Sequence, residues 1–367
     1  MTPEQAMRRA EALRRIYEAM EDQVFINIAR TLKTPGNVSS DRVYQWRIER
    51  LSDLNTLNGK VVREIRKASG LADDQIDKVI QEVGQDVIKD IDNRLKSVAL
   101  VGEPAYLDDI VKVFADRAKN GYSNMIQQSL ITNSYGNGQV QQVYERILEE
   151  TTARVLSGKM TINQAATRTV IKWGQTGFKS NFVDRAGRQW NATTYADTVL
   201  KTAVNNTYND LRTARMSDYG VDLVLVNSYP DAREACSKIQ GGIASMSNPT
   251  SDSRYPSIYE FGYGKPEGIR GVNCRHILYP FIPGVNTNNQ PQYNPEEAQE
   301  RAKIVQGQRT IERQIRKHKR SLSIAEEMGD QDVINEYKAR IRTRQAAMRQ
   351  YISTHELPRR YDRERMY

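Results

Sequence analysis

The sequence predicts a mainly α-helical protein with a small α+β domain: a helical N-terminal half, a compact α+β middle domain and a C-terminal helical hairpin. Three observations carry that expectation. From residue 1 to about 173, apolar side chains recur at steps of three and four, which gathers them on one stripe of a helix. Between Ser228 and Tyr263 this periodicity dissolves into Gly, Ser, Asn, Pro and Tyr, an ordered-loop composition. From Pro295 it returns in a strongly charged context. The expected segments are therefore 1–175, 176–294 and 295–367.

Leu13, Ile16, Met20, Val24 and Ile28 share one stripe, predicting a first amphipathic helix that Pro35-Gly36 breaks. Ser40 or Asp41 opens a second helix, which carries Trp46, Leu51, Leu54, Val61 and Ile65 and is expected to end at Gly70. Ile76, Val79, Ile80, Val83, Val87, Ile91 and Leu95 form the clearest stripe, that of a bundle-forming helix. Further helical segments are expected around Leu107, Ile110, Val111 and Phe114, then Met125, Ile126 and Leu130, then Val140, Val143, Tyr144, Ile147 and Leu148. Thr161 and Gln164 stand at capping-box spacing before Ala165-Ala166 and open another.

In the middle segment, Asp184-Arg185-Ala186-Gly187-Arg188 lies between Phe182-Val183 and Gln189-Trp190, as in a short hairpin turning at the glycine. A helix is predicted from about Thr193 to Tyr219, a buried strand over Val221 to Val226, and a second strand over Gly271 to Phe281. Beyond Pro295, two thin stripes flank Gly329: Ile304, Ile311, Ile315 and Leu322 before it, Val333, Tyr337, Ile341 and Met348 after it. They predict a helical hairpin with a solvated outer face.

Composition narrows the function classes. The chain carries a net charge of +9 over 367 residues, with 17 Lys+Arg against 12 Asp+Glu from Pro295 onward, so more than half of the excess sits in the tail. Counted with Gly and without Tyr, 39% of residues are apolar, against about 45–50% in ordinary globular chains. With a mean hydropathy of −0.69, this suggests a protein whose apolar faces are partly finished by partners. No apolar run reaches the ~18 residues of a membrane span, and charges interrupt residues 1–20, so no membrane partner is expected and the chain is expected to be made and kept in a cytoplasm. Two cysteines fit a reducing compartment. Walker loops, dinucleotide fingerprints, nucleophile elbows and His-Glu-x-x-His helices are absent.

Cys236, Cys274 and His276 are the densest group of reactive residue types. On a strand over 272–279, Cys274 and His276 would share a face, because side chains alternate with period two. Cys236, with Asp231 or a water, would then complete a tetrahedral zinc site, although no cofactor is required by the sequence. The other readings are buried packing residues, or catalysis on a phosphodiester with His276 as general acid/base and Arg275 as anion clamp. His318 and His355 are expected to be exposed. Arg309, Arg313, Arg316 and Arg320, with Lys317 and Lys319, form a basic strip at helical spacing, suited either to DNA phosphates or to a solvated face with partners such as Glu312. Tyr255, Tyr259, Tyr263 and Tyr279 cluster where loop composition is greatest, as at protein interfaces.

Gly268-Ile269-Arg270-Gly271-Val272-Asn273-Cys274-Arg275-His276, followed by Tyr279-Pro280-Phe281-Ile282-Pro283-Gly284, resembles the minor capsid protein 2 family of tailed phages. Asp184 to Trp190 with Tyr195-Ala196, Asp222-Leu223-Val224, Ala232-Arg233 and Gln240-Gly241 extend the resemblance in order along the chain. The resemblance implies a non-enzymatic structural protein of the virion, related in role to the minor head proteins of Mu-like phages. It implies a position at the portal vertex or inside the capsid, portal or major capsid protein and double-stranded DNA as partners, and a part in head assembly, DNA packaging or ejection. A homo-oligomer is compatible with it. The alternative class is a nuclease-like or metal-dependent hydrolase centred on Arg275 and His276.

Overall fold

The stripe of Met20, Val24 and Ile28 is buried along α1 (Pro3–Leu32) in the computed structural model. It describes residues 3–34, 39–95, 111–113, 115–116, 119–120, 132–133, 136–137, 139–157, 160–183 and 187–366. Pro35-Gly36, Leu107, Ile110, Phe114, Met125, Ile126 and Leu130 lie outside the described residues. A 3-10 turn, Ser40–Arg42, leads into α2 (Val43–Ser52), and α3 runs unbroken over Leu54–Arg94. The helix end expected at Gly70 is thus corrected. A glycine inside a helix costs only about 1 kcal/mol against alanine, too little to stop a helix whose apolar stripe resumes at Ala72 and Ile76. α4 (Gln139–Leu156) and α5 (Ile162–Thr176) follow, and α5 opens on the expected capping box: Gln164 N–H donates to Thr161 Oγ1 at 3.3 Å and Thr161 N–H to Gln164 Oε1 at 3.1 Å.

The chain gathers into two units, each drawn from separated stretches. One comprises Met1–Leu13, Asp73–Gly121 and Asp197–Gln306; the other comprises Arg14–Ala72, Tyr122–Ala196 and Gly307–Tyr367. The segment ends expected at 175 and 294 fall inside units, because long helices carry the chain from one unit to the other.

In the first unit, β5 (Leu223–Val226) is the centre of a three-stranded antiparallel sheet, flanked by β6 (Ile243–Ser245) and β7 (Leu278–Pro280). Its side chains alternate as a strand requires. Val224 and Val226 join a core with Val204, Tyr208 and Leu211 of α6 (Ala192–Asp218), while Leu223 and Leu225 pack with Phe281 on the other face. The expected strand over Gly271 to Phe281 is corrected to Leu278–Pro280; its earlier residues are irregular, with Asn273 at φ 57. Cys236 lies on the short α7 (Glu234–Ser237).

In the second unit, β3 (Lys179–Val183) and β4 (Gln189–Asn191) pair as a hairpin with Gly187 at φ 75, the positive-φ turn its sequence called for. Two-residue β1 (Thr132–Asn133) and β2 (Gly136–Asn137) also pair. α8 (Pro295–Met328) and α9 (Gln331–Thr354) make the C-terminal hairpin, turning at Gly329 with φ 74 and restarted by Asp330, whose carboxylate accepts from Val333 N–H.

Candidate functional site

Cys236, Cys274 and His276 do converge, though by a different route from the expected strand. All three are buried, at 1%, 2% and 2% exposure. Cys236 Sγ lies 3.9 Å from Cys274 Sγ, Cys274 Sγ lies 3.7 Å from His276 Nδ1, and one donor atom from each residue lies within 4.8 Å of the others. On its far side, His276 Nε2 approaches Gln240 Oε1 at 3.4 Å. Hydrogen bonding from the Cys236 thiol, with a further contribution from His276, holds the Cys274 thiol well below its ordinary pKa. As donor in that pair, Cys236 is pushed up.

Side-chain amides take the place of a strand in positioning this segment. Asn205 and Asn209 stand one turn apart on the inner side of α6. Asn205 Nδ2 donates to the Cys274 carbonyl and Asn209 Nδ2 to the His276 carbonyl, while Asn209 Oδ1 accepts from Leu278 N–H at 3.0 Å. Asn227 Oδ1 accepts from Ile277 N–H at 2.8 Å. Backbone groups that a ladder would have paired are thereby satisfied. These asparagines were not singled out in the sequence, although two Asn at i, i+4 within an apolar stripe are a readable sign: Asn is a poor helix former unless its amide has a partner.

The resemblance motifs have structural explanations. Arg233 donates to the carbonyls of Val272 at 2.7 Å and Gly268 at 2.6 Å, and its Nε reaches Cys236 Sγ at 3.5 Å. Arg270 is buried, in the left-handed region at φ 61, with its guanidinium on Asp210 at 2.6 Å and on the Tyr263 hydroxyl at 2.9 Å. Gly268 and Gly271 are needed for close approach: a Cβ on Gly268 would lie 1.9 Å from the Gly262 carbonyl oxygen, and one on Gly271 would lie 2.2 Å from that of Lys265.

Other expected roles are redistributed. Asp231 is paired with Arg275 and lies outside the Cys–Cys–His group. Arg275 also stacks on Tyr229 at 4.2 Å, so its guanidinium is occupied as an anion clamp would not be. Of the tyrosines, Tyr263 binds Arg270, the Tyr279 ring lies 4.7 Å from the Arg94 guanidinium and 4.8 Å from that of Arg212, and Tyr255 packs edge-on against Phe281. Tyr259 is the exposed member, at 43%.

The basic strip is divided. Arg313 and Lys317 are exposed, whereas Arg320 pairs with Glu21 and Asp22, and Arg316 with Glu18. Arg309 is half-buried, and Lys319 donates to the Glu364 carbonyl at 2.7 Å. Glu312 is buried, which pushes its carboxyl pKa up, so the strip is not a solvated face. His318 and His355 are half-buried, their rings 5.8 Å and 4.5 Å from those of Tyr337 and Tyr351, correcting their expected exposure. Among the described residues, no helix is long and apolar enough to cross a membrane.

Long helices and a small loop-rich sheet, the latter pinned by side-chain amides and buried arginines, are the elements of this chain. The chain belongs to the phage minor capsid protein 2 family, whose model matches residues 1–353. It is 32% identical over 338 residues to a structural protein of Lactococcus phage LL-H, covering 89% of this chain and 90% of that protein. Over 120 residues it is 40% identical to a structural protein of Lactococcus phage mv4, covering 32% of this chain and 98% of that protein. No solved structure matches.

Proposed function

We propose that this minor capsid protein is a non-enzymatic component at the portal or inner face of the phage head, docking through its N-terminal helices and aiding head assembly, DNA packaging or ejection. One observation carries the docking role: α2 presents Tyr44, Ile48 and Leu51 at i, i+4 and i+7, 58%, 69% and 37% exposed. Three large apolar side chains in register on one turn-after-turn face suit a partner's apolar surface. DNA contact falls to exposed cations of the hairpin such as Arg313 and Lys317 of α8 and Lys338, Arg342, Arg344 and Arg349 of α9, whereas exposed Lys303 and Arg340 are paired with Glu300 and Glu336.

A phage carrying Tyr44→Ser with Ile48→Glu tests the docking role. Purified particles should lack the protein, while the isolated variant melts as wild type does. Normal incorporation into particles would sink the assignment.

A further inference from the structure

We propose that Cys236, Cys274 and His276 bind one zinc ion that staples the 233–240 turn to the segment entering β7. Two of the three donor separations in the cluster approximate those of a zinc coordination shell. With Zn–S bonds of about 2.3 Å and Zn–N bonds of about 2.0–2.1 Å, tetrahedral ligands lie about 3.8 Å apart for two sulfurs and about 3.5 Å apart for sulfur and nitrogen. The observed separations are 3.9 Å between the sulfurs and 3.7 Å between Cys274 Sγ and His276 Nδ1, and all three donor atoms lie within 4.8 Å of one another, so binding the ion would draw Cys236 and His276 closer together.

The surroundings fit the same reading. Nδ1 faces the sulfurs while Nε2 faces Gln240 Oε1, an acceptor that would hold the ring proton on Nε2 once Nδ1 binds the ion. Gln240 is itself oriented, because its Oε1 accepts from Tyr229 N–H at 2.9 Å. Arg233 Nε lies on Cys236 Sγ, where it supports a thiolate. Two thiolates and one divalent ion cancel in charge, which makes the assembly tolerable at this depth. A water completes the shell. Ligands exposed by only 1–2% leave a substrate no approach, so the ion is structural. A disulfide between the same cysteines would leave the third donor, His276, without a use.

The test is metal analysis of the full chain, produced in zinc-replete cells and purified without chelator. One equivalent of zinc per chain is expected. It should be lost in Cys274→Ser and His276→Gln while far-UV circular dichroism shows the fold retained. Should either variant fail to fold, Co2+ exchanged into the wild-type chain supplies the answer: tetrahedral ligand-field bands with thiolate-to-cobalt charge transfer support the site. Folded wild-type protein without stoichiometric metal after zinc reconstitution overturns it, as does a cobalt spectrum lacking charge transfer. An intact mass showing Cys236 and Cys274 joined as a disulfide in freshly isolated protein also overturns it.

Discussion

Arg320 on α8 and Glu21 on α1 form an ion pair 2.8 Å long whose carboxylate is almost wholly buried. Glu21 also accepts from the Phe178 backbone N–H and the Thr193 hydroxyl, each at 3.0 Å, while Arg320 donates to Asp22 and to the Gly174 carbonyl. A guanidinium held by three partners is part of the fold. Its charge is met inside the second unit by Glu21 and Asp22, so Arg320 is not one of the cations that the basic strip presents to solvent.

Arg320→Ala should therefore cost about 3–5 kcal/mol in urea unfolding, because it leaves a buried carboxylate without its partner. DNA binding by the folded fraction should keep its salt dependence. Replacing exposed Arg313 and Lys317 together should do the reverse, weakening binding at low salt with a stability change within about 0.5 kcal/mol. Loss of DNA binding in folded Arg320→Ala would contradict this division.

Asp22 supplies a pH signature. Burial, with the charges of Glu21 and Glu18 added and Arg320 opposing, raises its pKa from 3.8 to about 6. A carboxyl with a raised folded pKa binds its proton more tightly in the native chain than in the unfolded one. Its contribution to stability is thus complete below pH 3.8 and is lost as pH rises through about 6. The amount is on the order of 3 kcal/mol at most. Asp22→Asn keeps an acceptor for Arg320 and removes the charge, so it should melt higher than wild type at pH 8 and lose that slope between pH 4 and 7. Parallel melting profiles for the two proteins would rule this out.

Asn209 should be as costly to lose as a core aliphatic. Asn209→Ala deprives the buried Leu278 N–H of its acceptor and the His276 carbonyl of a donor. At about 1–3 kcal/mol for each buried group left unsatisfied, a loss of about 2–4 kcal/mol is expected. Hydrogen exchange at the Leu278 amide should accelerate beyond the global change.

These cases show what sequence periodicity reaches and where it stops. Stripes such as Met20, Val24 and Ile28, and local chemistry such as the Thr161–Gln164 box and Gly187, are written within one turn of chain and were legible. Cys236, Cys274 and His276 were legible as a group because few residue types carry such chemistry. The strand expected to align them was not there, since what holds Cys274 and His276 is Asn205, Asn209 and Asn227, tens of residues away. Arg320 was misread for a related reason. Spacing shows which cations share a helix face, but only tertiary structure shows that Glu18, Glu21 and Asp22 of α1 meet that face.

Two glycines carry that distinction into a last experiment. Gly70 is exposed inside α3, and a Cβ there would meet nothing within 4 Å. Gly70→Ala should stabilise the chain by about 0.5–1 kcal/mol, chiefly by restricting the unfolded state. Gly271 presents the same residue type with the opposite surroundings: a Cβ would lie 2.2 Å and 2.4 Å from the carbonyl oxygens of Lys265 and Pro266. Those oxygens belong to backbone fixed by Val272 N–H on the Pro266 carbonyl at 3.0 Å and by Arg233 on the Gly268 and Val272 carbonyls. They have little room to yield, so Gly271→Ala should cost more than about 4 kcal/mol. The displacement would be passed along three residues to Cys274, so thiol accessibility to a bulky reagent should rise in Gly271→Ala and stay at the wild-type level in Gly70→Ala. Equal stability and equal thiol protection in the two variants would show that the Gly268–Gly271 loop is not the rigid support described.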